Sequence, residues 1–164
     1  IRTVSVAASG LTDVSYIALD GVGNMYVSGE NSGHIAVYPT SANGNPAPLH
    51  YIGGALTTLV NPYGMAFDAA NNLYVVDYST EKISVFPLGA DGNVAPARQI
   101  TSSGPAFVTI YEPAIDNLGN IWVDDNSTNT IFEFPAGASG ATAPTKTITG
   151  AATGLSSPWG MTIH

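Results

Sequence analysis

The sequence predicts an all-β repeat protein, and three observations carry that prediction. One spacing of 48 residues runs through the chain: Asp20, Asp68 and Asp116 keep it (68−20 and 116−68), and so do Tyr26, Tyr74 and Trp122. Each repeat holds four short runs rich in β-branched and aromatic residues. Gly, Pro, Asn and Asp punctuate those runs, and no window shows a sustained helical period. Units of four antiparallel strands at a period of ~40–50 residues are the sequence signature of β-propeller blades.

The register is dense. Ile35, Ile83 and Ile131 share it, as do Pro39, Pro87 and Pro135, then Gly44, Gly92 and Gly140. Val4, Ile52, Ile100 and Ile148 extend it to both ends. Strand A is expected at 16–20, 64–68, 112–116 and 160–164. Strand B is expected at 25–29, 73–77 and 121–125, and strand C at 35–38, 83–86 and 131–134. Strand D is expected at 1–5, 49–53, 97–101 and 145–149.

Between strands A and B lie Asp20-Gly-Val-Gly-Asn24, Asp68-Ala-Ala-Asn-Asn72 and Asp116-Asn-Leu-Gly-Asn120. The fourth place is Gly or Asn, which tolerate a left-handed backbone. Asp at the first place can accept N–H bonds inside the turn. Asp20, Asp68 and Asp116 are therefore read as turn residues. The prolines after strand C lack an N–H and end ladder pairing.

The domain reading is a single repeat domain: a leading strand D at 1–6, blades at 14–53, 62–101 and 110–149, and a trailing strand A at 158–164. Three whole blades with partial blades at both ends fall short of the ~4–8 that close a propeller. The expectation is a piece of a longer propeller or, less favoured, chains that self-associate and supply blades to one another. A parallel β-helix is the runner-up fold, but its coils are shorter and lack hairpin turns.

Pro62-Tyr-Gly-Met-Ala-Phe-Asp68, Asn72-Leu-Tyr-Val-Val-Asp77 and Lys82-Ile-Ser-Val-Phe86 resemble the blade of NHL-repeat propellers, and bacterial extracellular members look nearest. The resemblance covers three units and both partial ends. It implies a propeller and a location outside the cytoplasm, extracellular or periplasmic. It implies no single activity, since such propellers bind proteins, bind RNA or act as enzymes. Unit 1 departs at Val14-Ser-Tyr16 and unit 3 at Ile110-Tyr-Glu-Pro113, so irregular A strands are expected there.

Composition narrows the function classes. Of the 164 residues, 12 are acidic and 4 are Lys or Arg, for a net charge of −8. Nucleic acid is a poor partner for so acidic a chain. No apolar run is long enough for a membrane helix, so no membrane insertion is expected. The absence of Cys rules out disulfides and thiolate metal sites.

Four cationic or His positions, Arg2, His50, Arg98 and Lys146, fall in one register of strand D. The favoured reading is protection of an exposed sheet edge; the alternative is a cationic rim for an acidic partner. Tyr63, Tyr111 and Trp159 share a register at the entrance to strand A, where they could stack on sugar rings, grip a peptide or pack blades together. Glu30, His34, Tyr78 and Asn126 lie on loops of the same face, where propeller binding sites sit. Asp124 and Asp125 are weak candidates for Ca²⁺, a hard cation that wants clustered oxygens; otherwise no cofactor is expected. His34 and Glu112 could pair as base and orienter. Asn126-Ser-Thr128 fits a glycosylation acceptor. The main expectation is a non-enzymatic scaffold that binds protein or glycan or self-assembles. The alternative is a propeller hydrolase or lyase acting on an extracellular polymer at the central mouth.

Overall fold

The computed structural model describes residues 3–163, and its thirteen strands form three successive sheets. The first sheet is β1 (Val14–Leu19), β2 (Met25–Gly29), β3 (His34–Tyr38) and β4 (His50–Gly53). The second is β5 (Pro62–Phe67), β6 (Leu73–Asp77), β7 (Lys82–Phe86) and β8 (Arg98–Ser102). The third is β9 (Ile110–Ile115), β10 (Ile121–Asp125), β11 (Thr130–Phe134) and β13 (Lys146–Ile148). All neighbours within these four-strand sheets are antiparallel. The remaining strand, β12 (Gly140–Thr142), belongs to the third unit but pairs in parallel with β8 of the second.

That parallel pairing recurs as single bridges, Val4 with Gly44 and Ile52 with Gly92. Gly44, Gly92 and Gly140 all have positive φ (72°, 69° and 63°), so the register glycines allow the link to turn back onto the previous unit. The edges of β4 and β8 are thus covered by the next unit's link, whereas β13 remains an edge among the described residues. This corrects the reading of His50 and Arg98 as guards of a free edge. His50 Nδ1 lies 3.4 Å from Asp91 Oδ1 in the next link. Arg98 donates to the carbonyls of Ala136 and Ala138 in the following unit, each at 2.9 Å, and to the Tyr74 hydroxyl at 2.6 Å. Lys146 pairs with Glu133 and sits 5.2 Å over the Trp122 ring. Arg2 lies outside the described residues.

The core lies between sheets rather than within one. Tyr26, Ile35, Val37 and Ile52 of the first sheet pack on Leu59, Met65, Leu73, Val75, Phe86 and Ala90 of the second unit. The same positions, 48 residues on, build the next interface: Tyr74, Ile83, Val85 and Ile100 pack on Phe107, Ile121, Val123, Phe134 and Ala138. Burying one apolar side chain is worth about 1.5–3 kcal/mol, so these interfaces hold the units in order.

Two expectations need correction. The irregularity predicted for strands A of units 1 and 3 occurs in all three, with register shifts at Val14/Tyr16, Pro62/Met65 and Ile110/Pro113, the last opposite Asp125 and Val123 of β10. A bulge bends each strand as it enters the sheet, and the template unit bends too. The strand A expected at 160–164 is absent: among the described residues 158–163 form no strand. Each strand A pairs with its own strand B, and no strand B follows within the sequence. His164 and the first two residues of the leading strand D lie outside the described residues.

Candidate functional site

The turns at one end of the sheets are built alike. Asp68 Oδ1 accepts from the Ala70 and Asn72 N–H groups at 2.9 Å, and Oδ2 from Asn72 Nδ2 at 2.8 Å. Asp20 and Asp116 repeat the pattern. Burial pushes the Asp68 and Asp116 carboxyls up, but the bonds from Asn72 and Asn120, with the others, outweigh it and hold both below the usual range.

The opposite face gathers the aromatics. Tyr63 on β5, Tyr111 on β9, Tyr78 in the loop after β6, and Trp159 form one cluster. Tyr111 stacks on Trp159 with centroids 4.8 Å apart at 7°, and on Tyr78 at 5.6 Å and 14°. Tyr63 leans against Tyr111 at 5.1 Å and Trp159 at 6.2 Å. Trp159 remains 62% exposed, so ring surface faces solvent. Burial pushes the Tyr63 and Tyr111 hydroxyls up, and the Glu30 carboxylate adds to both. Asn126 is tied in through Nδ2, which donates to the Pro158 carbonyl at 3.2 Å.

Beneath the rings lies a carboxyl pair. Glu112 is buried; its Oε2 accepts from the Met161 N–H at 2.9 Å, and its carboxyl also takes a hydrogen bond from the Tyr16 hydroxyl. Burial pushes Glu112 up, and nearby Asp124 adds to it. Asp124, also pushed up by burial, accepts from the Glu112 N–H at 2.9 Å and the Gly160 N–H at 3.3 Å. Tyr16, Gly64, Glu112 and Gly160 share one register. A Cβ on Gly64 would lie 2.1 Å from the Tyr111 carbonyl oxygen and 2.7 Å from Glu112 Cα. Glycine there leaves the gap through which Tyr16 of unit 1 reaches Glu112 of unit 3.

Three sequence expectations meet different surroundings. Asp125 Oδ2 accepts from the Val108 N–H at 2.7 Å, and Oδ1 from the Thr109 and Thr128 N–H groups. With Asp124 similarly engaged, a cation would have to displace backbone donors from both. No group of three or more metal-ligating side chains occurs among the described residues. His34 does not pair with Glu112: Nδ1 lies 2.8 Å from the Ser32 carbonyl, Nε2 lies 3.4 Å from that of Ser9, and its ring meets Tyr51 edge-on. His34 lines a shallow groove of about 380 Å³ with Ser9, Ser32 and Tyr51 instead. Tyr16, which the sequence did not mark as a site residue, shares the register of Gly64 and Glu112 but lies two units from Glu112.

Residues 1–108 match the family model described as lactonase, 7-bladed β-propeller. The chain belongs to that family. The resemblance to NHL repeats thus holds at the level of the β-propeller. Among solved structures, the chain is similar to the virginiamycin B lyase of Staphylococcus aureus, with a TM-score of 0.66 at 12% identity over 91% of this chain and 45% of that one. It is also similar to a chain of a nidogen/laminin complex, with a TM-score of 0.66 at 20% identity over 94% of this chain and 53% of that one. The glutaminyl cyclase of Myxococcus xanthus gives 0.54 at 15% identity, over 80% and 51%. These likenesses are of fold. No curated protein matches. The chain spans about half the length of the solved structures it matches.

Proposed function

We propose that this propeller segment binds a carbohydrate chain on its aromatic face, without catalysis, and that the protein works in an extracellular or periplasmic setting. The observation that carries the reading is the Tyr78–Tyr111–Trp159 stack ending in a largely exposed indole. An aromatic face offers apolar area to the C–H face of a sugar ring and keeps polar tips for hydroxyls. The stack joins Tyr78 of the second unit, Tyr111 on β9 of the third and Trp159 in the segment after it. The acidic surroundings, with Glu30 and Glu112 beside the rings, suit a neutral ligand better than an anionic one.

Affinity electrophoresis against a panel of neutral polysaccharides tests the reading. At least one should retard the wild type, and Trp159→Ala should weaken that retardation about tenfold, the worth of one stacked ring. Equal retardation of wild type and Trp159→Ala, or none with any polysaccharide, refutes it.

A second reading, favoured by the Glu112–Tyr16 contact, is a hydrolase or lyase with Glu112 as the acid at the central mouth. A carboxyl raised by burial holds its proton closer to neutral pH. That reading requires product release from a retained polysaccharide, lost in Glu112→Gln.

A further inference from the structure

The loops that follow strand B share one backbone bond in all three units. Glu30, Tyr78 and Asn126 stand 48 residues apart. Their N–H groups donate to the carbonyls of Asp13, Asn61 and Thr109 at 3.0, 3.0 and 2.9 Å. From this shared place the side chains reach the next unit's entry to strand A. Tyr78 stacks on Tyr111, and Asn126 donates to the carbonyl of Pro158, beside Trp159. Glu30 has the same place relative to Tyr63, and its carboxylate acts on the hydroxyls of Tyr63 and Tyr111. Only the first unit puts a charge at this position.

That charge is unpaired. Glu30 is partly exposed, and among the described residues its carboxylate has no hydrogen bond and no ion pair. The cations are held elsewhere. Arg98 is bonded to the link carbonyls of Ala136 and Ala138, and Lys146 to Glu133. Lys82 begins β7, two strands outward from β5. Tyr63 is tilted 56° to Tyr111 and 54° to Trp159, so the rings form a corner rather than a flat wall. A carboxylate beside tilted aromatic faces suits an ammonium group, which the ring quadrupoles attract from one side and the negative charge from the other.

We propose that the carbohydrate on the aromatic face is an amino sugar polymer with free amines, one ring stacked on Trp159 and an ammonium group of the chain seated between Tyr63 and Glu30. The proposal rests on the carbohydrate reading and narrows it. The indole needs only the C–H face of a sugar ring, which a neutral polysaccharide also supplies. Glu30 adds a preference that a hydroxyl or an acetamide cannot satisfy, because neither carries a charge. A uronic acid at the same place is repelled. The net charge of −8 draws a cationic chain toward the protein.

Affinity electrophoresis at about pH 5.5, below the usual range of amines, tests this with glycol chitosan or its N-acetylated form in the gel. The aminated polymer should retard the wild type at least about fivefold more strongly, the upper end for an exposed ion pair. Glu30→Gln should bring the aminated polymer down to the level of the N-acetylated one. Asp91→Asn removes the same charge from a link residue that faces His50 and should leave the difference intact. Trp159→Ala should weaken retardation by the aminated polymer, since the stacked ring is common to both. Equal retardation of the wild type by the two polymers overturns the proposal and leaves the carbohydrate reading standing. Retardation by neither also overturns it, while the neutral panel decides the carbohydrate reading separately. A difference that survives Glu30→Gln, or that Asp91→Asn abolishes as well, belongs to net charge and overturns the proposal. So does Glu30-dependent retardation of equal strength by polylysine, which has no sugar ring.

Discussion

Replacing Asp77 with Ala should unfold much of what the second unit holds together. Asp77 is the last residue of β6 and is 1% exposed. Its Oδ2 accepts from the Val60 N–H at 2.7 Å and the Asn61 N–H at 3.1 Å, and its Oδ1 from the Thr80 N–H at 3.0 Å. One carboxylate therefore fixes the connector entering strand A and the loop leaving strand B. Alanine leaves three backbone donors without an acceptor. Each buried donor so orphaned costs about 1–3 kcal/mol. Water reaches Val60 and Asn61 in part, which places the total at about 3–5 kcal/mol. Against a total stability of about 5–15 kcal/mol, that is a severe loss. Asp77→Asn keeps one acceptor oxygen and should cost about 1–2 kcal/mol. Asp116→Ala is the comparison: it loses a similar number of bonds in an open turn and should cost about 1 kcal/mol. Urea unfolding with matched slopes measures all three. The reasoning fails if Asp77→Ala stays within about 1 kcal/mol of the wild type, or if Asp116→Ala costs more.

Arg98→Ala, which removes the bonds to Ala136, Ala138 and Tyr74, should cost about 2 kcal/mol in the same unfolding assay. Arg98→Lys should recover only part of that, because an ammonium cannot span three acceptors as the planar guanidinium does. Full recovery by Lys would mean that charge alone matters there. Glu112 supplies a pH signature. Its folded carboxyl is raised by burial and then by Asp124, so the folded chain keeps a proton that the unfolded chain releases. Unfolding is favoured as pH rises through that window. Relative to Glu112→Gln, the wild type should therefore lose stability as pH rises above the ordinary carboxylate range of about 4. Thermal unfolding of both proteins across that range reads it, and a constant difference would contradict it.

Strands B were legible to the residue because three constraints coincide there. Met25–Gly29, Leu73–Asp77 and Ile121–Asp125 are β-patterned, follow an Asp turn, and lie inside a sheet between two partners. Strands A were harder. Pro62 and Tyr63 belong to β5, yet Pro and Gly near a strand entry read as loop, and the bulge hides the register. β12 was invisible, since Gly140-Ala-Thr142 has no β-pattern of its own and is a strand only because β8 stands beside it. At the candidate site, the aromatics could be found because nearest neighbours in a 48-residue register come together. The Tyr16–Glu112 contact could not, because it joins units 1 and 3 and depends on how sharply the sheets curve around their axis.

The pairing of each link with the strand before it gives the molecule a direction. The outer strand of unit n is finished by residues of unit n+1, and nothing in unit n can substitute. β4 and β8 receive such a link at Gly92 and β12, whereas among the described residues β13 pairs only with β11 and all three of its residues are exposed. Order is thus lent backwards along the chain, so synthesis from the N-terminus lays down each sheet before the piece that locks it has been made. Local opening should then be graded, easiest at the last sheet and hardest at the middle one, as in a row of coupled units rather than a single block.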